Sequence, residues 1–204
     1  MKLFRFTTVL VLSFVVASCF VSCGPAGQHN SPEGNAVLQT IFQRKSVRDF
    51  LPKKVSREIL DTLVRAGMAA PTGRDIRPWE FVVVTERILL DTLARVLPYA
   101  AMLAEAPAAI VVCGRTDVTA GGSSYWYLDC SAAAENILLA AESLGLGAVW
   151  TATYPYEDRM QAVAGILELP DEVLSLNVIP VGYPRGEQTP KEKYDSSRIH
   201  RNKW

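Results

Sequence analysis

The sequence predicts a mixed helix–strand domain, of α/β or α+β class, over residues 35–204. Apolar residues recur at helical spacing in several segments, and short β-branched apolar runs fall between them. Clusters of Gly, Pro and polar residues separate the two kinds of segment. The chain is 49% hydrophobic and 21% charged, enough apolar material to build a core. Its 204 residues favour one domain, since about 100–200 residues is the usual size. The 21 basic and 21 acidic residues cancel, so nothing in the total charge points to nucleic acid.

Taken in order, Asn35 to Arg44 carries Val37, Leu38, Ile41 and Phe42 at helical spacing. Ser56 is placed to cap a second helix, with Ile59, Leu60, Leu63, Val64 and Gly67 on one face and Pro71 as its stop. Phe81 to Val84 is a strand, and Thr85 is expected to cap a helix that runs through Leu97. A short helix around Tyr99 to Glu105 leads into a buried strand from Ala108 to Cys113. The longest helix, about Tyr125 to Leu144, has an Ala-rich face (Ala133, Ala134, Ile137, Leu138, Ala141, Leu144) thin enough for close packing. Gly145 and Gly147 end it, and Ala148 to Thr151 begins a strand. Pro155 opens a helix through Ile166, Val173 to Val181 is a strand, and the tail from Pro184 to Trp204 is polar and irregular.

The first residues are of another kind. Lys2 and Arg5 precede an apolar run from Phe6 to Val16, then Ala17, Ser18 and Cys19. A short basic region, about 7–15 apolar residues and then small residues are the pattern of a secretory signal. Val16-Ala17-Ser18-Cys19 looks like a bacterial lipobox, with acylation expected on Cys19 and Cys23 as the alternative. Residues 1–23 are thus read as signal peptide and lipobox region, and residues 24–34 as a flexible tether. This leads to an exported protein, lipid-anchored to the bacterial cell envelope and facing the periplasm. Beyond the leader only Cys113 and Cys130 remain, without a CxxC pair, and the histidines are His29 and His200. A zinc site is therefore not expected, and both thiols are read as core residues. Whether the two meet in a disulfide is left open.

Three segments have the composition of a site. Arg44-Lys45-Ser46-Val47-Arg48 places two guanidinium groups, an ammonium and a hydroxyl where the first helix ends, a set suited to a phosphate. The same charges at a helix C-terminus also have a purely structural explanation. Ala70 to Phe81 is a Pro-bounded polar loop in which Arg74, Asp75 and Arg77 have no evident structural task. Leu144-Gly145-Leu146-Gly147 suits either a helix-ending turn or a backbone that passes close to a ligand or neighbour.

Together these segments resemble the nitroreductase family. Its recurrent marks are matched by Arg44-x-Ser46-x-Arg48-x-Phe50, by Ala70-Pro71-Thr72 with Pro78-Trp79-x-Phe81, and by Asn136-x-Leu138-Leu139-Ala140 with Gly145-Leu146-Gly147. Val181-Gly182-Tyr183-Pro184 closes the series. The resemblance implies an α+β fold with a central mixed sheet flanked by helices, expected as an intertwined homodimer. It implies FMN at the subunit interface, with Arg44, Ser46 and Arg48 on the phosphate and ribityl chain and Lys45 assisting. Thr72 and Asp75 are expected at the flavin pyrimidine edge, and the backbone of Trp150, Thr151 and Ala152 near N5. Lys193, with Lys191 as a rival, is expected to return to the phosphate.

The activity so implied is an FMN-dependent oxidoreductase that takes hydride from NAD(P)H, or from another electron donor, to a small electron-poor substrate such as a nitroaromatic, quinone or enone. The alternative is an exported FMN carrier with little turnover. No side chain is expected to act as nucleophile, so no catalytic residue is assigned, and no nucleic acid partner or metal is expected. Two positions depart from the family, which usually has Asn at the position of Asp75 and Gln at that of Arg77. A carboxylate accepts from a flavin N–H but cannot donate to a carbonyl. Either Arg74 or Arg77 is therefore expected to pair with Asp75. An export signal also sits uneasily with a nicotinamide donor, and the short loop between Cys113 and Tyr125 leaves little room for a lid.

Overall fold

The computed structural model describes residues 34–118 and 124–204. The expected leader and lipobox (Cys19 or Cys23), all but the last residue of the expected tether and part of the loop before Tyr125 lie outside the described residues.

Helix α1 (Ala36–Gln43) is capped by Asn35, whose side chain accepts from the N–H groups of Val37 and Leu38. Helix α2 (Arg57–Met68) is capped by the Ser56 hydroxyl as expected. Strand β1 (Trp79–Val84) and helix α3 (Arg87–Val96) follow. The N-cap of α3 is Glu86, not Thr85, and no side chain caps it. A 3₁₀ turn at Ala101–Ala104 precedes strand β2 (Ala108–Arg115). The long helix α4 (Trp126–Ser143) comes next, and Leu144, its C-cap, is 47% exposed rather than part of the buried face. The strand expected at Ala148 to Thr151 is two short ones, β3 (Gly147–Ala148) and β4 (Thr151–Ala152). Helix α5 (Glu157–Leu167) and strand β5 (Val173–Gly182) complete the core.

The strands form one sheet in the order β1-β2-β5-β3, with β4 also on β5. All ladders between these strands are antiparallel, and the parallel component is an isolated bridge between Ser46 and Ala148. Helices pack on both faces. Ala108, Ile110 and Val112 of β2 face a cluster built with α2 and α4, whereas Ala109, Val111 and Cys113 face α3 and α5. That two-sided burial is why β2 has an unbroken apolar sequence rather than an alternating one. It also answers the cysteine question: Cys113 points to one side of the sheet, Cys130 packs on the other, and both thiols are free. The Cys130 thiol donates to the Cys113 carbonyl at 3.3 Å instead. Burial pushes both thiols up to about 12.

Helix α4 is the spine on which the site is assembled. Its buried Ala133, Ala134 and Ala141 let neighbours approach closely. A Cβ at Gly67 of α2 would already lie 3.0 Å from the Ile137 side chain, and the Asn136 amide donates to the Ala66 carbonyl at 3.0 Å. These contacts fix α2, and the loop that follows it, against α4.

Candidate active site

Three carboxylates of α4 hold the segments singled out by the sequence. Glu135 pairs with Arg44 at 3.0 Å and Glu142 with Lys45 at 2.6 Å. The buried Asp129 accepts the Gly73 N–H at 3.0 Å. Glu135 and Glu142 share a helix face, and the three residues follow one another at steps of about 10 Å along the axis. None of the three carboxylates is among the site residues expected from the sequence. Their signal was available: three acidic residues, two of them at i and i+7, on a helix whose other residues are mostly apolar or small.

The segment after α1 is strapped to the sheet. The Val47 N–H donates to the Ala148 carbonyl, Leu51 N–H to the Tyr183 carbonyl and Arg185 N–H to the Asp49 carbonyl. Gly147 makes this possible, since a Cβ there would fall 2.5 Å from Val47. Gly145 does the other task its neighbourhood suggested, taking φ +70° in the turn that ends α4. The two glycines therefore have different reasons. Val47 and Phe50 are fully buried, while Ser46 and Arg48, alternating with Val47, are exposed. Among the described residues neither the Ser46 nor the Arg48 side chain has a hydrogen bond or ion pair.

Arg44 and Lys193, far apart in sequence, line one open cavity of about 660 Å³. Lys191 lines it too, so both tail lysines stay in contention, and Ile41, Phe42 and Glu135 complete much of the wall. Ser46 and Arg48 are not in that lining, and Lys45 is turned toward Glu142. The cluster is thus split: Arg44 and the tail on one side of α4, Ser46 and Arg48 exposed on the strapped segment.

The loop after α2 is held in an uncommon shape. Arg74, Asp75 and Arg77 all have positive φ, at 55°, 59° and 54°. Non-glycine residues adopt this region seldom, and such a run in one loop is characteristic of binding sites. Gly73 N–H is tied to Asp129, Arg77 N–H donates to the Thr72 hydroxyl at 3.3 Å, and the Tyr125 ring covers Gly73. Asp75 does pair with an arginine, and the partner is Arg77: Nε donates to Oδ1 at 2.7 Å and Nη2 to Oδ2 at 2.6 Å. That fork holds the Asp75 carboxyl below its ordinary range.

Trp150 is half-buried and Thr151 buried, and the Thr151 hydroxyl is committed to the Val178 carbonyl. Thr151 and Ala152 pair through their backbone with Val178 and Asn177 of β5, and Ala152 has no polar side chain. β3 brings it beside Ser46 through the bridge to Ala148. Two of the three segments are joined there directly, and the third, the loop after α2, is joined to them through α4.

The nitroreductase family model matches residues 41–101 and 91–183. A Methanothermobacter thermautotrophicus protein, provisionally named NADH dehydrogenase/NAD(P)H nitroreductase, is 42% identical over 168 residues, covering 82% of this chain and 87% of that protein. A crystal structure of a Bacteroides thetaiotaomicron protein, provisionally given the same name, superposes with a TM-score of 0.80 at 59% identity, over 84% of this chain and 99% of the other. An FMN-dependent nitroreductase of Clostridium difficile superposes with a TM-score of 0.75 at 26% identity, over 81% of this chain and 98% of the other. The order of segments, the fold that joins them and these matches agree: the chain belongs to the nitroreductase family and is an oxidoreductase.

Proposed function

We propose that this protein is an FMN-dependent enzyme that passes reducing equivalents from NAD(P)H, or from another donor, to a small electron-poor acceptor such as a nitroaromatic, quinone or enone. The observation that carries the reading is the convergence on α4 of the 44–48 segment, the 72–77 loop and, through β3, residues 150–152. The donor set fits a flavin mononucleotide. Arg44, Lys191 and Lys193 line one cavity, and Arg48 is exposed without an ion pair among the described residues, which suits a phosphate ester. The 72–77 loop offers N–H donors and a carboxylate to a polar ring edge. FMN, when bound, supplies the redox chemistry, and the protein supplies position and charge.

In this reading Arg44, Ser46 and Arg48 take the phosphate and ribityl chain, and Lys193 returns to the phosphate. Arg44 and Lys193 act from the cavity, Ser46 and Arg48 from the exposed segment that continues from Arg44, and Lys45 supports them by fixing the segment to Glu142. Thr72 and Asp75 meet the pyrimidine edge, and the backbone of Trp150 to Ala152 lines the reactive face. The relatives support the donor and the cofactor by name: the archaeal protein is named for NAD(P)H and the clostridial one for FMN.

Two further parts of the reading rest on sequence and surface. A homodimer is favoured by the exposure of Val37, Ile41 and Phe42 on α1, together with Tyr194, Ile199 and Trp204 in the tail. Export with a lipid anchor at Cys19 or Cys23 is favoured by the basic, apolar and small-residue order of the leader.

Anaerobic titration of the FMN-loaded protein with NADH and NADPH tests the reading. Bleaching of the flavin, followed by its return on adding a quinone or nitroaromatic, is the expected result. Flavin that neither nicotinamide nor a quinol reduces would instead make the protein an FMN carrier.

A further inference from the structure

Asn177 occupies a position where packing favours an aliphatic residue. It lies on β5, which has ladders on both sides at this point, and it is 0% exposed. A buried strand interior suits Val, Ile and Leu, and Asn is depleted there. Yet among the described residues neither its Oδ1 nor its Nδ2 has a hydrogen-bond partner. Buried carboxamides are almost always bonded, because an unmet donor or acceptor gives up its water with nothing in exchange.

The ladders explain why no side chain answers it. Asn177 stands opposite Val112 on β2 and opposite Ala152 on β4, neither of which has a polar side chain. The register also slips here. Val112 pairs with Asn177 and Cys113 with Ser175, which leaves Leu176 as an extra residue without a partner on β2. The Leu176 carbonyl accepts instead from the N–H groups of Thr153 and Tyr154, both at 3.1 Å. On the other side of Leu176 the Ser175 hydroxyl is buried without a partner as well. By contrast, the nearby hydroxyls of Thr151 and Thr153 are bonded to the Val178 and Ser175 carbonyls. Unmet polar atoms thus gather on the two residues that flank the bulge.

We propose that the β5 bulge is a binding site for an ordered internal water molecule, held by the Asn177 carboxamide. The chemistry of the site selects water. A carboxamide offers both donors and acceptors, and a ligand that meets it must do both. No ionisable side chain stands opposite it in either ladder to compensate an ion. No group of three or more potential metal ligands exists among the described residues. Full burial restricts the guest to a small one. A buried water makes about three hydrogen bonds, and a locally disrupted ladder leaves main-chain groups to share them. Ala152 belongs to the stretch assigned above to the reactive face of the flavin, but no flavin is needed for the water to be held.

Oxygen-17 relaxation dispersion of the full-length protein in solution counts its long-lived internal waters. Asn177→Leu keeps a side chain of similar size, removes both polar atoms and should lower that signal by the contribution of at least one water. An amplitude equal to the wild type would overturn the proposal. If the variant does not fold, the wild type decides. Its high-resolution crystal structure should show a water about 2.7–3.2 Å from Oδ1 or Nδ2 of Asn177. A carboxamide bonded directly to protein groups, or one with no water beside it, would overturn the proposal as well.

Discussion

Gly147 shows how much depends on single positions in this site. Its missing side chain lets Val47 lie against β3, which sets the direction of Ser46 and Arg48 on either side. Gly147→Ala should therefore destabilise the fold by about 1–3 kcal/mol through overpacking. It should also weaken flavin binding, as seen in a thermal melt and a binding titration on the same sample, and a melt unchanged by the substitution would contradict this packing. Cys113 and Cys130 give a pH prediction. Both are raised from 9.0 to about 12 by burial, so the fold favours the protonated thiols. Their contribution is complete below about pH 9 and is lost as the pH climbs toward 12. An alkaline melting series should show Tm falling across that window, less steeply in Cys113→Ala/Cys130→Ala. The pairing of Asp75 with an arginine was expected from the chemistry of a carboxylate in that loop. Which arginine takes it was not legible, because the choice depends on three positive φ angles that no local residue preference announces.

Among the elements, α4 is the one on which the site depends. Its length, its Ala-rich buried face and its Gly-ended turn were all plain in the sequence, because periodicity survives without tertiary context. Its acidic residues were not recognised as anchors, since a carboxylate on a helix has many possible partners until the neighbours are placed. Lys45 and Glu142 are both mostly buried, with side chains 22% and 15% exposed. Glu142→Gln leaves the lysine with a weaker partner, so stability should fall by about 1–2 kcal/mol. The 44–48 segment should loosen with it, and hydrogen exchange at Val47 N–H, bonded to the Ala148 carbonyl, is the readout. Protection at that amide equal to the wild type would show that the sheet alone fixes the segment. The strand expected over Ala148 to Thr151 failed as one element for a similar reason. Both halves pair with β5, but Val149 and Trp150 break the ladder between them, and composition does not reveal where a ladder breaks.

For the molecule as a whole, a domain of helices around a sheet follows from the alternation of patterns, and the family marks were legible in order along the chain. The sheet expected as mixed, by contrast, has antiparallel ladders throughout its named strands. The cavity that joins Arg44 to the tail was not legible, because only folding brings residues 44 and 191–194 together. The apolar faces of α1 and the tail, exposed in the single chain, predict a dimer. Sedimentation of the purified protein should give twice the monomer mass, and Phe42→Asp should shift it toward the monomer. A wild-type monomer that binds flavin normally would mean that one chain completes its own site.

In the function proposed above, three segments joined by α4 form a flavin mononucleotide site whose cations grip the phosphate. The most direct measurement is a fluorescence titration of the purified full-length protein with FMN and with riboflavin, which lacks only the phosphate. FMN should bind, and riboflavin about tenfold to a hundredfold more weakly, the worth of one or two charge-assisted hydrogen bonds. Equal affinity for the two would remove the phosphate from the Arg44–Arg48 region and from Lys193. Binding of neither would contradict the site itself.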